Sequence, residues 1–392
     1  MLTLVAFGLF LGMTLWFSAT AAAPAIAAEF SITGAGLAWL TMAVQGGFVA
    51  GTLVSALLNL ADVVNARHLF AWGCLAGAIA NAAIPFAPSG AVIVLLRTAT
   101  GVALAFVYPP GLKIAAGWFL NRRGTALGIV VGALTLGSAF PHLMAWAAAD
   151  LPWRSMLWVS SALAIAGGAI VALGVRDGPY VSASAPFDPR AVGQVVSNRG
   201  VRLATLGYLG HMWELYAMWA WMPAFAAASI AAAGGVGSVG GTSGSTSSLV
   251  AFVAIASGAV GCVMAGRTAD AWGKARIAGA AMVVSGSCAL AAGFAFGQSL
   301  PVLLVFAVCW GFSIVADSAQ FSALVAEHSP RTHVGTALTL QICLGFLLTM
   351  ISMLLLPVVA SATGWQWAFL LLVPGPVLGA VAMLRLTRVP AA

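Results

Sequence analysis

The chain has 392 residues, of which 62% are hydrophobic and 6% are charged, and its formal net charge is +7. An average soluble domain carries about 25% charged residues, so this chain has too few charges to cover a surface that faces water. Composition therefore excludes an ordinary soluble protein and predicts an integral membrane protein. The five cysteines lie inside apolar stretches without CxxC spacing, so we expect neither a disulfide framework nor a metal site.

A membrane-spanning helix needs about 20 mainly apolar residues, and the chain contains twelve such stretches. They are too long and too uniformly apolar for the alternating strands of a β-barrel, so we predict helices. No basic segment precedes the first stretch, which is longer than the roughly 7 to 15 apolar residues of a signal peptide; we expect it to be a membrane span. In chain order the stretches are Leu2–Ala28, Gly36–Leu58, His68–Ala87, Ala91–Phe119, Gly124–Ala148, Ser155–Val175, Leu203–Ala233, Leu249–Ala265, Ile277–Gly297, Leu300–Val325, Val334–Ala360 and Trp367–Leu384.

The basic residues are distributed unevenly between the connections. The odd-numbered connections hold only Arg154, and two more, Arg97 and Lys113, lie within the fourth stretch. By the positive-inside rule the even-numbered connections are cytoplasmic, which places both termini in the cytoplasm of a multi-pass inner-membrane protein. This topology accounts for the positive net charge, so we expect no nucleic-acid partner. The even-numbered connections and the C-terminus hold Arg67, Arg122, Arg123, Arg176, Arg190, Arg199, Arg202, Arg267, Lys274, Arg276, Arg331, Arg385 and Arg388.

The two halves of the chain repeat one another. Three pairs of landmarks recur at offsets of 208, 211 and 212 positions, a nearly constant period that indicates a duplicated unit. The longest basic connection contains several prolines and reads as a linker, so we predict a six-helix bundle at 1–175, a cytoplasmic linker at 176–202 and a second six-helix bundle at 203–392. Residues 234–248, rich in glycine and serine, are expected to form a flexible outward loop. The recurring pairs are Asp62 with Asp270, Gly124 with Gly335, and Trp153 with Trp365.

The connection after the eighth stretch contains the most specific motif in the chain, with Gly266, Asp270, Gly273 and Lys274 in one short loop. A glycine lets two helices approach, an acid can cap a neighbouring helix N-terminus, a second glycine permits a tight turn, and cations hold the turn at the cytoplasmic surface. This spacing resembles the loop signature of the major facilitator superfamily of transporters, and the resemblance covers essentially the whole chain.

The resemblance implies an all-α integral membrane protein with twelve transmembrane helices in two pseudo-symmetric six-helix bundles, the major facilitator fold, and a gating role for this loop. In the matching loop of the first half, Asp62 and Arg67 keep the acid and one cation without the glycines. The segment Arg97–Gly101 also resembles a superfamily motif. The segment Gly207–Tyr216 is similar to a bacterial branch loosely grouped with nitrate, nitrite and cyanate porters, although the second and eighth stretches lack the arginine typical of nitrate transporters.

Ionisable residues inside a membrane span are costly to bury and are therefore candidates for function. Glu214 lies several residues inside the seventh stretch, where a carboxyl can take up and release a proton; the alternative is a carboxyl that only ties helices together. His211 is three residues earlier on the same helix face and could share that proton, bind substrate, or only pack. The ionisable residues within spans are Arg97, Lys113, His142, His211, Glu214 and Asp317, with Glu327 near a helix end.

Asp317 and Tyr108 occupy nearly matching positions in the tenth and fourth stretches, and Pro109 follows Tyr108 directly. Polar or broken segments at matching places in two halves indicate a binding site near the middle of the membrane. We therefore predict that Tyr108 and Asp317 bind substrate and that Asp317 also carries protons. Arg97 can form two parallel hydrogen bonds with an anionic substrate or a carboxylate, or it can belong to a fixed ion pair, whereas Lys113 can extend to the cytoplasmic face. Further candidates for cavity lining are Trp213, which we include among the substrate-binding residues, Trp219, Trp221, Gln45, Asn81 and Gln341.

The chain lacks the Gly-x-x-x-x-Gly-Lys loop that binds nucleotide phosphates, so we do not expect it to hydrolyse ATP. We predict a secondary active transporter, a proton-coupled symporter of a small organic or inorganic anion that works by alternating access. The alternative is a proton-driven exporter of drugs or metabolites. A membrane enzyme or sensor is disfavoured because neither a cluster of acids and histidines at a membrane face nor an appended soluble domain is evident. The expected partners are the anion, protons and the lipid bilayer, with no cofactor and a monomeric state.

Overall fold

In the residues that the structure describes, all regular secondary structure is helical. This computed structural model describes residues 1–33, 35–119, 123–180, 187–234 and 243–390. The connections carry the short helices Leu60–Val63, Pro189–Ala191, Val192–Ser197 and Arg331–His333. The membrane spans, first to twelfth, are Leu2–Met13 with Ser18–Ala21 and Ala23–Phe30; Ala35–Leu57; Ala66–Ala83 with Ile84–Phe86; Gly90–Leu104 with Tyr108–Trp118; Arg123–Ala147; Trp153–Gly174; Arg199–Ala232; Ser243–Trp272; Lys274–Ala295; Leu300–Ala316 with Ser318–His328; Val334–Thr363; and Trp365–Ala368 with Phe369–Leu372 and Pro374–Leu386.

The predicted all-helical architecture with twelve spans is confirmed. Within the described ranges, 11 helical segments are long and apolar enough to cross a bilayer. The first span falls short of that length only because it is divided among three helices, the longest being Leu2–Met13. Helices suit this environment because they satisfy every backbone polar group internally where no water is available.

Most span boundaries differ from the sequence prediction by a few residues, and the starts of the seventh and eighth spans are two examples. The seventh span begins at Arg199 rather than Leu203, because the Asn198 side chain accepts a hydrogen bond from the Val201 amide at 3.0 Å and caps the helix. The eighth span begins at Ser243, so residues 243–248 are helical and not part of the expected loop. Serine and threonine hydroxyls can bond to the carbonyls of the preceding helical turn, which allows a polar first turn. The other residues expected in that loop, 235–242, lie outside the described residues.

The fourth and tenth spans are both interrupted near their middle. The fourth resumes at Tyr108 and the tenth at Ser318, which are 210 positions apart, so the interruptions match between the halves. In the fourth span, Pro109 and Pro110 occupy the first turn of the second segment. Proline is tolerated there because first-turn amides have no partner within the helix. In the tenth span Asp317 is the residue at the break.

Glycines reveal the same duplication in the packing of each half. A Cβ atom on Gly101 would collide with the carbonyl of Val44, and one on Gly311 with the carbonyl of Ala254. A second pair of contacts follows the same pattern, since Gly51 meets Val102 and Gly261 meets Phe312. In both pairs, each residue of the second half lies 210 positions after its counterpart in the first half. The second and fourth spans therefore cross at backbone contact in the first half, as the eighth and tenth do in the second.

Among the described residues, several pairs of spans join the two halves. The fifth and eighth spans pack backbone to backbone, since a Cβ on Gly128 would lie 2.8 Å from the Cys262 carbonyl and one on Gly132 would lie 3.1 Å from that of Ala259. The second and eleventh spans meet at Phe48 and Phe346, and the first and seventh spans meet through aromatic rings. We call this contact surface the boundary between the halves, and the candidate functional residues lie on it or to either side of it.

Candidate functional site

A cluster of six buried aromatic side chains joins the two halves near the middle of their spans. We call it the central aromatic cluster. The Phe48 and Phe346 ring centroids are 4.6 Å apart, Trp16 and Tyr216 are 5.7 Å apart, and Phe17 and Trp219 are 5.9 Å apart. Each of these pairs joins the first half to the second, so the cluster must rearrange whenever the halves move. Its members are Trp16, Phe17, Phe48, Tyr216, Trp219 and Phe346.

Several buried polar atoms around this cluster have no hydrogen-bond partner among the described residues. They are the indole nitrogens of Trp16 and Trp219, both ring nitrogens of His142, and the side-chain oxygen of Gln45. His142 is fully buried, and its ring lies 6.1 Å from Phe17. Leaving a buried donor or acceptor unsatisfied costs about 1–3 kcal/mol. These groups can therefore recognise a polar ligand, and they come from both halves.

His211 and Asp317 form a buried pair behind the cluster. The Nδ1 atom of His211 lies 2.8 Å from Oδ1 of Asp317, and both side chains are 2% exposed. The other ring nitrogen of His211 lies 3.1 Å from the Ser318 hydroxyl. Asp317 reaches this position because it stands at the break in the tenth span. It also interacts electrostatically with Cys262, whose backbone contacts the fifth span, so the pair lies close to the boundary between the halves.

Tyr108 approaches the same region from the first half. Its phenol is close enough to those of Tyr208 and Tyr216 to interact with them electrostatically, and it interacts with Cys262 as well. Tyr108 and Asp317 thus both lie within electrostatic range of Cys262 at the boundary, and their joint role in substrate binding stays a prediction.

Glu214 lies inside the second half, between the seventh, ninth and tenth spans, and is 1% exposed. Trp310 donates its indole N–H to one carboxyl oxygen at 2.7 Å, and the Ser285 hydroxyl lies 2.9 Å from the other. The Ser285 hydroxyl also lies 3.3 Å from the Met282 carbonyl. A hydroxyl can donate or accept. Ser285 therefore donates to an ionised Glu214, or accepts from a protonated one while donating to Met282, and the network accommodates both protonation states.

Arg97 is completely buried, and backbone carbonyls surround its guanidinium. The guanidinium donates to Leu40 and Leu15 at 3.0 Å each and also to the carbonyl of Trp16. The interruption of the first span at residues 14–17 makes the carbonyls of Leu15 and Trp16 available, whereas Leu40 belongs to the second span. Among the described residues no acidic side chain pairs with Arg97, so its positive charge lies against the backbone of Trp16, a member of the central aromatic cluster.

Trp213 faces away from the other candidates. Its indole N–H donates to the Leu371 carbonyl at 2.9 Å, and its ring lines an outer groove beside the twelfth span. Residues two positions apart on a helix point to different faces, which separates Trp213 from His211. Of the remaining lining candidates, Trp221 donates to the Met353 carbonyl, Gln341 to that of Phe321, and Asn81 to that of Leu157 within the first half.

The predicted motif loop is mostly helical, because the eighth span continues to Trp272, and it contacts the first half through Asp270. A Cβ on Gly124 would lie 2.8 Å from the Asp270 carboxylate and 3.0 Å from the Gly266 carbonyl, so the acid lies against the first turn of the fifth span, where a helix N-terminus favours negative charge. Gly273 adopts a φ of +90°, which a side chain would strain. Lys274 donates to Glu327 at 2.6 Å and links this loop to the end of the tenth span.

The matching loop of the first half contacts its own half. Arg67 donates to the Val175 carbonyl at 3.2 Å, and Asn65 donates to Asp177 at 2.7 Å. The side chain of Asp62 lies outside the described residues, so its predicted gating role stays a prediction.

Sequence reasoning overlooked Trp16 and left His142 without a role. The signal for His142 was its position as an ionisable residue inside the fifth span. An isolated histidine next to Pro141 gave no indication that its ring would reach Phe17 of the first span. Trp16 carried no such signal, because a tryptophan in an apolar stretch is ordinary.

A family model described as Major Facilitator Superfamily matches residues 5–241 and 236–392. The chain belongs to the Major Facilitator Superfamily. It is therefore a multi-pass membrane protein.

Two curated relatives are the hexuronate transporters of Escherichia coli strain K12 and strain O157:H7, each 27% identical to this chain over 168 residues. The alignment covers 42% of this chain and 38% of each relative, so the chain matches well under two thirds of their length. Neither the family model nor these two relatives is specific to nitrate, nitrite or cyanate.

Proposed function

We propose that this superfamily member is a proton-coupled symporter of a small hydroxylated carboxylate, of the sugar-acid class, which binds between the two halves and crosses by alternating access. The observation that carries the proposal is the set of unpartnered polar atoms around the central aromatic cluster. These atoms belong to both halves, so one ligand bound among them would respond to any movement of the halves relative to each other.

The chemistry of the site supports a sugar acid over other small anions. Aromatic rings can pack against the apolar face of a sugar ring, while the indole N–H groups of Trp16 and Trp219 and the amide oxygen of Gln45 can pair with hydroxyls. His142 can donate to a carboxylate. Arg97, without an acidic partner among the described residues, makes the first half attractive to an anion in a medium of low dielectric constant. The two relatives are hexuronate transporters, which agrees with this class.

Proton coupling would use the ionisable groups of the second half. The pair His211–Asp317 can hold one proton between its ring and its carboxylate, and it lies near the boundary that substrate approaches. Glu214 has a hydrogen-bond network that tolerates both protonation states. Positive charge in the first half and titratable acids in the second favour symport of an anion with a proton.

Alternating access would proceed by rocking of the halves about the substrate. The end of the eighth span, which contains Asp270, would close the transporter at the basic face of the membrane by holding the fifth span, and would release that span when the halves separate. The distribution of basic residues supports an inner-membrane location with both termini in the cytoplasm. We propose that a monomer suffices, because both halves of the binding site come from one chain.

The test measures the melting temperature of the purified protein with each of four ligands. They are a hexuronate, the corresponding neutral hexose, nitrate and a lipophilic cation. A ligand at about 100 times its dissociation constant stabilises the folded state by about 2.7 kcal/mol. We expect the hexuronate to raise the melting temperature most, and the variant His142→Phe to reduce that shift. His68→Phe, at an exposed position, serves as the matched control. A shift with nitrate alone would favour an inorganic anion, and a shift with the lipophilic cation alone would favour the exporter; either result contradicts the proposal.

A further inference from the structure

An apolar groove with a volume of about 530 Å³ lies on the outer face of the second half, away from the central aromatic cluster. The seventh and twelfth spans form its walls, and Leu348 of the eleventh span also lines it. The groove exists because the two spans meet through glycines. A Cβ on Gly210 would collide with the Gly375 carbonyl, so the floor has no side chains while larger apolar residues stand on either side. A cavity of this size is within the usual range for small-molecule ligands.

Arginines stand at one end of both walls. Arg385 is the charged residue among those lining the groove. On the opposite wall, Arg202 precedes Leu206 by one helical turn and so shares its face. The two arginines lie within about one helical turn of each other in depth, because Gly207, five residues after Arg202, packs against Met383, two residues before Arg385. Among the described residues neither arginine has an acidic partner, and both are exposed. The N-terminus of the seventh span, which begins at Arg199, adds positive potential at the same place.

The length of the groove corresponds to one leaflet of a bilayer. Eleven positions separate Arg202 from Trp213 at its inner end, and a helix rises about 1.5 Å per residue, which gives about 16 Å. Half of a hydrocarbon core of about 30 Å is about 15 Å. An acyl chain whose headgroup lies beside the arginines would therefore end near Trp213.

We propose that this groove binds one anionic phospholipid of the leaflet on the basic side, with its phosphate between Arg202 and Arg385 and an acyl chain along Leu206 and Leu378. The charge at one end and the apolar walls beyond it match the two parts of such a lipid. Basic pockets between transmembrane helices on the cytoplasmic side are a recognised arrangement for anionic headgroups. The site is independent of the transport chemistry and does not rest on the proposed substrate.

The experiment is native mass spectrometry of the purified protein with phosphatidylglycerol or phosphatidylcholine of identical acyl chains. We expect one phosphatidylglycerol to be retained in preference to phosphatidylcholine. The double variant R202Q/R385Q should lose this preference, with affinity falling about fivefold per arginine. The matched control R276Q removes an exposed arginine at the same membrane face but outside the groove, and should bind as the wild type does.

A second variant tests the apolar part while both arginines remain. Leu378 is 69% exposed, so Leu378→Trp fills the groove without disturbing the protein interior and should also release the lipid. Equal retention of the two lipids by the wild type, or undiminished phosphatidylglycerol binding by both variants, would overturn the proposal. So would a wild-type dimer that Leu378→Trp dissociates, because the groove would then be an interface between copies of this chain.

Discussion

A close backbone contact between the two halves predicts the effect of one added methyl group. Gly128 of the fifth span packs on the backbone of the eighth, where a Cβ would lie 2.8 Å from the Cys262 carbonyl and 3.6 Å from the Cα of Val263. Neither neighbour is a flexible side chain that could turn aside. Gly128→Ala should therefore force the two spans apart in the arrangement seen here, while the fifth helix itself gains from the better helix propensity of alanine.

Overpacking of a close contact costs about 1–3 kcal/mol. A shift of about 2 kcal/mol in the equilibrium between closed and open arrangements is a change of about 30-fold. Because the contact lies near the basic ends of both spans, the shift should expose Cys262, which is 1% exposed here. Maleimide labelling of Cys262, read from its peptide by mass spectrometry, should accelerate by up to that factor.

Gly193→Ala is the matched control, since nothing lies within 4 Å of a Cβ at that position. It should label Cys262 at the wild-type rate. If Gly128→Ala also labels at the wild-type rate and transports normally, the fifth and eighth spans do not separate during the cycle, and the reasoning is refuted.

Three further predictions concern single side chains. Arg97→Lys should lower the melting temperature and reduce transport, because an ammonium group cannot reach all the carbonyls to which the guanidinium donates. Each buried carbonyl left without a donor costs about 1–3 kcal/mol. An unchanged melting temperature would contradict this prediction. Glu214→Gln should fold normally, since an amide keeps both hydrogen bonds, but lose accumulation driven by a pH gradient; retained accumulation would exclude the proton role. At the outer surface, hydrogen bonds from Arg154 and Trp153 lower the pKa of Glu29 below its ordinary value of 4.5. The Glu29–Arg154 pair stabilises the fold above pH 4.5 and ceases to do so as the pH falls through the lowered pKa. The melting temperatures of the wild type and Arg154→Gln should therefore converge in acid. A difference that does not depend on pH would contradict the assignment.

The spans and the duplication were predictable because they depend on signals spread along the chain. Twelve long apolar stretches can satisfy their backbone in a bilayer only as helices, and the landmark period of 208 to 212 positions agrees with the 210-position offset of the contacts at Gly101 and Gly311. The position of Asp317 at a helix break was also within reach, since polar residues matched Tyr108 across the repeat.

The arrangement of the site was less accessible, because it depends on which helix faces meet. His211 and Glu214 share a face, as their spacing of three indicates, but His211 pairs with Asp317 of another span and Glu214 with Trp310. Trp213 was grouped with them by proximity in the chain, although a two-residue step turns it toward the outer groove. Two of the carbonyls that hold Arg97, those of Leu15 and Trp16, become available through the interruption of the first span, which no local signal marked.

The most direct test of the central proposal is uptake of a labelled hexuronate into proteoliposomes, with and without an imposed gradient that is acidic outside. We predict that the wild type accumulates the sugar acid above its external concentration only when the gradient is present. The Asp317→Asn variant should then equilibrate the hexuronate without accumulating it. Uptake that ignores the gradient, or accumulation by Asp317→Asn equal to that of the wild type, would contradict proton-coupled transport between the two halves.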